Sequence, residues 1–267
     1  MSRTFGLLFI GDVVGPAGCA TVQALAPALR RELGVAAIVA NGENSAESGF
    51  GVTEQTGAAL LSAVDLLTLG DHAFDEPGIG AYLDAEPRII RPANVEIDRP
   101  GRPRGIFEAG DVRVGVVTVL GTAFMQAQPR SPFAAADTEV AELKAAGARV
   151  ILIEIHAEAT SEKQALGWYC AGRVAAVLGT HTHTPTADLR VLPGGTGYVT
   201  DVGMTGGAES IIGFSREDYF RFIAEGEHAR LPRPATGRIR LDAVRLEMDL
   251  QSGRAIAVER ISREFVA

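Results

Sequence analysis

The chain has 267 residues, 46% of them hydrophobic, and its 25 basic against 33 acidic side chains leave a net charge of −8. That balance describes a globular protein rather than a disordered or fibrous one. It argues against non-specific binding to long nucleic acid, which needs a basic surface, but leaves room for a small phosphorylated substrate attracted locally.

No apolar run reaches the roughly 20 residues of a membrane span, so no membrane partner is expected. The opening MSRTFGLLFIGD meets Gly11 and Asp12 too early for a signal peptide. Cys19 and Cys170 lack CxxC spacing and read as small buried residues, not as a disulfide or thiolate zinc site. A cytoplasmic location is expected.

In chain order, five short apolar runs each stop at a polar or Gly-containing turn. FGLLFI leads to Gly11-Asp12, AAIVA to Asn41-Gly42-Glu43-Asn44, and DLLTL to Gly70-Asp71-His72. RVILIEI leads to His156, and VAAVL to Gly179-Thr180-His181-Thr182-His183. Runs of this kind suit strands buried on both faces.

Between them lie amphipathic segments. QALAPALRREL reads as a helix that Pro27 bends or opens. TEQTGAALLSAV has Thr53 as its cap, and DTEVAELKAAG has Asp137 as cap and Gly147 as stop. SEKQALGWYCAG places Ser161 and Gln164 at capping-box spacing. The alternation predicts βαβ units.

Other stretches read as antiparallel hairpins. RGIFEAGDVRVGVVTVLG turns at Gly110-Asp111, DLRVLPGGTGYVTD near Pro193-Gly194, and RLEMDLQSGRAIAVER at Ser252-Gly253. Two mixed sheets flanked by helices fit better than one parallel sheet. With no linker or repeat, residues 1–267 are expected to form one domain.

Ligands of open α/β sheets gather beyond the carboxyl ends of the strands. Asp12, Glu43, Asn44, Asp71, His72, His156, His181 and His183 stand there, so four of the chain's five histidines share one place. The His-x-His pair alone could be ordinary loop chemistry. With the carboxylates it matches a divalent metal site of oxygen and imidazole donors. The set is too large for one tetrahedral ion, whereas a carboxylate bridging two ions would use it all.

The motifs GDVVG, NGENSA, LGDHAFD, EIHAEATSEK, GTHTHTPTAD and TDVGMTGGAESIIG, in this order, are similar to those of the calcineurin-like metallophosphoesterases, most closely the YmdB-like branch. Val14 replaces the superfamily's usual histidine two residues after the first aspartate, and Glu43 its second-motif aspartate. Both departures point to the YmdB-like branch. Asp71 is a further departure, since the family usually has asparagine there.

The resemblance implies a four-layer α/β/β/α sandwich of two mixed sheets. It also implies that Asp12, Glu43 and His183, assisted by Asn44, hold one metal. Glu43 would bridge to a second held by Asp71, His156 and His181, and His72 would be the general acid for the leaving alkoxide. Iron or manganese are the expected ions, with zinc or magnesium as alternatives.

The implied reaction is hydrolysis of a small, 2′,3′-cyclic nucleotide by in-line attack of metal-bound hydroxide. A phosphomonoesterase acting on nucleotides or phosphoproteins, and a non-catalytic metal or nucleotide sensor, are the competing readings. Assembly into a homo-oligomer stays open. GDVVGPAG lacks the G-x-G-x-x-G pattern and no Walker lysine occurs, which argues against a dinucleotide or P-loop site. GGAESIIGFS reads as a loop near the site mouth or a turn into a helix at Ser215; Trp168 and His228 read as structural or surface residues.

Overall fold

A computed structural model describes residues 4–125, 129–226 and 230–266. His228 lies outside them.

The first sheet has the order β2 (Asp12–Val13), β12 (Met204–Gly207), β13 (Arg238–Asp249), β1 (Thr4–Ile10), β3 (Ala37–Asn41), β4 (Leu66–Thr68), β5 (Ile89–Ile90), with β14 (Arg254–Val266) paired to β13. Strands β1, β3, β4 and β5 run parallel to one another, and β13 is antiparallel to β1, β12 and β14.

The second sheet has the order β10 (Arg190–Leu192), β11 (Thr196–Val199), β9 (Ala176–Thr180), β8 (Val150–His156), β7 (Val112–Leu120), β6 (Arg104–Ala109). Its centre is parallel and its two outer pairs are the expected hairpins. Both sheets are mixed, as expected.

The apolar runs are continuous because each strand feeds two cores. In β1, Leu7 and Phe9 face the second sheet while Leu8 and Ile10 face helices. In β8, Val150 and Leu152 join that same inter-sheet core, and Ile151, Ile153 and Ile155 pack under helices on the far side. Alternation of side chains across a strand thus produces four layers without any polar alternation in the sequence.

Helices α1 (Gly15–Glu32), α2 (Glu54–Leu61) and α3 (Gly80–Ala85) lie along the half of the chain that builds the first sheet, and α4 (Pro132–Ala145) and α5 (Thr160–Tyr169) along the second. A sixth, α6 (Arg216–Glu225), follows β12.

Three helix starts differ from expectation. Helix α1 begins at Gly15, with Pro16 in its first turn, so Pro27 falls well inside the helix on its exposed side. Helix α4 is capped by Ser131, followed by Pro132, a stronger start than Asp137 because proline's fixed φ suits the first turn. Asp137 instead accepts from the Tyr169 hydroxyl at 2.6 Å. Helix α5 begins at Thr160 with no side-chain cap, so Ser161 and Gln164 form no capping box.

Other expectations hold. Thr53 caps α2 in a reciprocal box with Thr56, Ser215 caps α6, Gly147 follows α4 at φ +83°, and both cysteines are buried. Trp168 is a surface residue with Arg190 over its ring. No helix among the described residues is long and apolar enough to cross a membrane.

Candidate metal centre

All eight singled-out residues sit at carboxyl ends of strands or just beyond, and the two sheets contribute different chemistry. The first sheet brings oxygen donors: Asp12 after β1, Glu43 and Asn44 after β3, Asp71 after β4. The second brings imidazoles: His156 ends β8, and His181 and His183 follow β9.

Glu43, Asp71, His156 and His181 each offer a ligand atom, all within 4.8 Å of one another. His156 Nε2 is the hub. It lies 2.8 Å from Glu43 Oε1, 2.9 Å from Asp71 Oδ1 and 3.0 Å from His181 Nδ1. One ring nitrogen carries at most one proton and cannot satisfy three such neighbours, whereas a cation in their midst can.

The other ring nitrogen shows which face is free. His156 Nδ1 lies 2.9 Å from Thr180 Oγ1, whose hydroxyl donates to the buried Glu154 at 2.7 Å. A proton on Nδ1 completes that chain and leaves the Nε2 lone pair facing the cluster, the usual way an outer partner sets a metal-binding tautomer. Glu154 also accepts from Asn41 Nδ2 at 2.7 Å and Thr118 Oγ1 at 3.0 Å, while burial pushes its pKa up.

His183 repeats the arrangement. Its Nδ1 lies 2.7 Å from the Ile212 carbonyl, which can only accept, and burial holds its pKa below the ordinary range, so the ring is neutral with a lone pair on Nε2. That lone pair faces Asn44 Oδ1 at 3.2 Å, because the Asn44 amide donates to the Gly49 carbonyl. Two acceptors face each other across a buried gap. Asp12 Oδ1 is also buried and without a hydrogen-bond partner among the described residues. Both observations fit a cation, and the donor set fits a hard-to-borderline divalent one.

Electrostatics agree. Burial pushes the Asp12 carboxyl well above its usual range, with Glu43 and Asp201 adding to it. Burial opposes ionisation of Glu43 and Asp71 too, but the neighbouring histidines outweigh it and hold both below the carboxylate range. His156 is held well above the usual histidine range, since Glu43 and Asp71 outweigh its burial. A bound cation would displace that proton.

His72 stands apart from the cluster, with Nε2 3.9 Å from Asp71 Oδ2 and Nδ1 2.7 Å from Asp75 Oδ2. Its ring meets Phe50 edge-on, and Phe50 stacks on Phe214 from the GGAESIIGFS loop. That loop therefore reaches the site twice, through Phe214 and the Ile212 carbonyl. Asp71, His72 and His181 are the partly exposed members, with Glu158 Oε2 3.4 Å from His181 Nε2, so the centre opens on that flank.

Sequence reasoning did not single out Asp75, Glu154 and Thr180, whose hydrogen bonds lead to His72 and His156. All lie inside the quoted motifs, and position in a motif was the available signal. Gly70 was missed as well: a Cβ there would stand 2.1 Å from Glu43 Oε2 and 2.5 Å from His156 Nε2, so only glycine lets the two heads meet.

Two mixed sheets in an α/β/β/α sandwich, with carboxylates and histidines converging at one end, make this a metallophosphoesterase-type protein. The chain is 40% identical over 256 residues, 96% of each chain, to the 2′,3′-cyclic-nucleotide 2′-phosphodiesterase of Bacillus subtilis (strain 168). Within that class it belongs to the YmdB-like protein family, whose model matches residues 8–261.

Solved structures agree. A hypothetical protein from Thermus thermophilus superposes with a TM-score of 0.89 at 40% identity, covering 97% of this chain and 99% of that one. A novel phosphatase from Mycoplasma pneumoniae superposes with 0.90 at 28% identity, covering 99% and 95%.

Proposed function

We propose that the protein is a two-metal phosphodiesterase whose substrates are small nucleotides, 2′,3′-cyclic monophosphates foremost. The observation that carries this is the crowding of ligand atoms around His156 Nε2 and the two facing acceptors of His183 and Asn44, an arrangement that two cations would satisfy together. The activity named for the Bacillus subtilis relative supplies the substrate class.

Asp12, Asn44, Glu43 and His183 would hold one ion, and Glu43, Asp71, His156 and His181 the other, with Glu43 shared. Iron or manganese suits this oxygen-and-imidazole set. Two such ions neutralise phosphoryl oxygens and acidify water at neutral pH. The same reading takes residues 1–267 as one domain, because the proposed ligands come from both sheets.

The substrate enters over the open flank formed by Asp71, His72 and His181. Asp75 accepts the Nδ1 proton of His72 and so favours the imidazolium form, in which Nε2 also carries a proton. Near this group of carboxylates the His72 pKa rises despite partial burial, which favours the protonated ring a general acid needs. That proton goes to the departing ribose oxygen, which is too basic to leave unprotonated. Three carboxylates against two divalent ions leave a net charge of about +1, which attracts a phosphodiester without trapping it.

The test is the manganese-loaded enzyme on 2′,3′-cyclic AMP, bis-p-nitrophenyl phosphate and p-nitrophenyl phosphate. Ring opening of the cyclic nucleotide and a diester rate above the monoester rate are expected. A preference for the monoester would make the protein a phosphomonoesterase, and no turnover with bound manganese would make it a sensor.

A further inference from the structure

Two of the motifs, EIHAEATSEK and TDVGMTGGAESIIG, contain a lysine and an aspartate that no ligand role uses. Lys163 and Asp201 are both fully buried, and Lys163 Nζ donates to Asp201 Oδ2 at 2.8 Å. The same oxygen accepts from the Thr182 backbone N–H at 3.1 Å and from the Thr182 hydroxyl at 2.8 Å. The other oxygen accepts from Gly203 N–H at 2.9 Å. A buried ion pair seldom stabilises a fold more than an apolar pair of the same shape would. Its effect has to be sought in what it holds.

Each donor leads to a residue of the metal centre. Thr182 lies between His181 and His183, whose φ angles of +96° and +60° are kept by non-glycine residues only where the surroundings impose them. Gly203 turns its carbonyl to the Asp12 N–H at 3.1 Å. Lys163 rides on α5, directly after the strand that ends in His156. The approach is close: at Gly179 a Cβ would stand 1.8 Å from the Thr200 carbonyl, so β9 and the segment carrying Asp201 press together under the histidine turn.

We propose that Asp201, neutralised by Lys163, is the positioning group of the metal centre, setting the His181-Thr182-His183 turn and the backbone of Asp12 from one buried carboxylate. This rests on the metal-binding reading above. An asparagine cannot replace the aspartate, because its single oxygen serves either Thr182 or Gly203 and turns an amide N–H against the other donor. Lysine holds the carboxylate in place through its hydrogen bond to Oδ2, besides cancelling its charge.

The experiment measures manganese(II) affinity by competition with a fluorescent chelator, beside the melting temperature of the chelated protein. It compares the wild type, Asp201→Asn and Lys163→Met. Binding by both variants is expected to weaken by roughly 10–100-fold, the usual effect of losing a partner that orients metal ligands, at a temperature where the chelated variants remain folded.

Lys163→Met separates positioning from charge, since an uncompensated carboxylate alone would tighten cation binding. A merely structural pair would lower the melting temperature and leave affinity unchanged, and that result, or tighter binding by Lys163→Met, overturns the proposal. If neither variant folds, Thr182→Val, which removes only the hydroxyl contact of a partly exposed residue, decides: weaker binding supports the proposal and unchanged binding overturns it. A wild type that binds no manganese overturns the metal-binding reading itself.

Discussion

At the residue scale, His72 is the side chain whose environment best predicts a measurable split. Asp75 orients it, Phe50 meets it edge-on, and its ring stays outside the ligand cluster, with Nε2 3.9 Å from Asp71 Oδ2, while its backbone N–H donates to Glu43 Oε2 at 3.3 Å. A general acid of this kind contributes roughly 10²–10⁴-fold when the leaving group is poor. His72→Ala is therefore expected to cut 2′,3′-cyclic AMP hydrolysis by about that factor while leaving bis-p-nitrophenyl phosphate, whose phenolate needs little help, far less affected. Manganese content should stay at the wild-type level. Equal losses on both substrates at equal loading would show that His72 only supports the site. His72 was legible from its place beside Asp71. Asp75 was not, because a carboxylate three residues along a turn says nothing of where its oxygen points until the turn is built.

At the scale of elements, the site depends on how closely strand ends approach. The end of β4 passes so near Glu43 and His156 that Gly70 has no room for a side chain. Gly70→Ala is expected to push those two heads apart and to weaken manganese binding by roughly 10–100-fold. The melting temperature of the chelated protein should change little, since the strand itself is held by β3 and β5. A variant that binds manganese as the wild type does would mean that the cluster can spread without loss. Most strand positions and the hairpin turns were readable from apolar runs and Gly-containing turns, whereas the short β2, β5 and β12 were not. Helix starts were less so: Asp137 and Ser161 have cap chemistry, but Ser131-Pro132 began α4 earlier and α5 opened without a side-chain cap. Local propensity names several permissible caps, and packing selects among them.

At the scale of the molecule, the centre is a staple between two sheets. Carboxylates and the amide come from the first sheet and histidines from the second, so ions bound there hold both against the shared core of Phe5, Leu7, Phe9, Leu152 and Leu178. An ion that binds only the folded chain adds about 2.7 kcal/mol at a hundredfold excess over its Kd, a rise of roughly 5–10 °C in melting temperature for a chain of this size. Manganese-loaded and chelator-treated protein should melt at least that far apart, and coincident melts would rule out a stapling centre. The sequence by itself determined most strands, though not β2, β5 or β12, as well as the mixed α/β class and the donor types at strand ends, because these depend on local period and on the chemistry of single side chains. Only the tertiary structure decided which nitrogen of His156 and His183 faces the cluster, that Gly70 must lack a side chain, and that Lys163 and Asp201 meet beneath the histidine turn. Those facts depend on distances between segments far apart in the chain, which are set when the two sheets close on a common core.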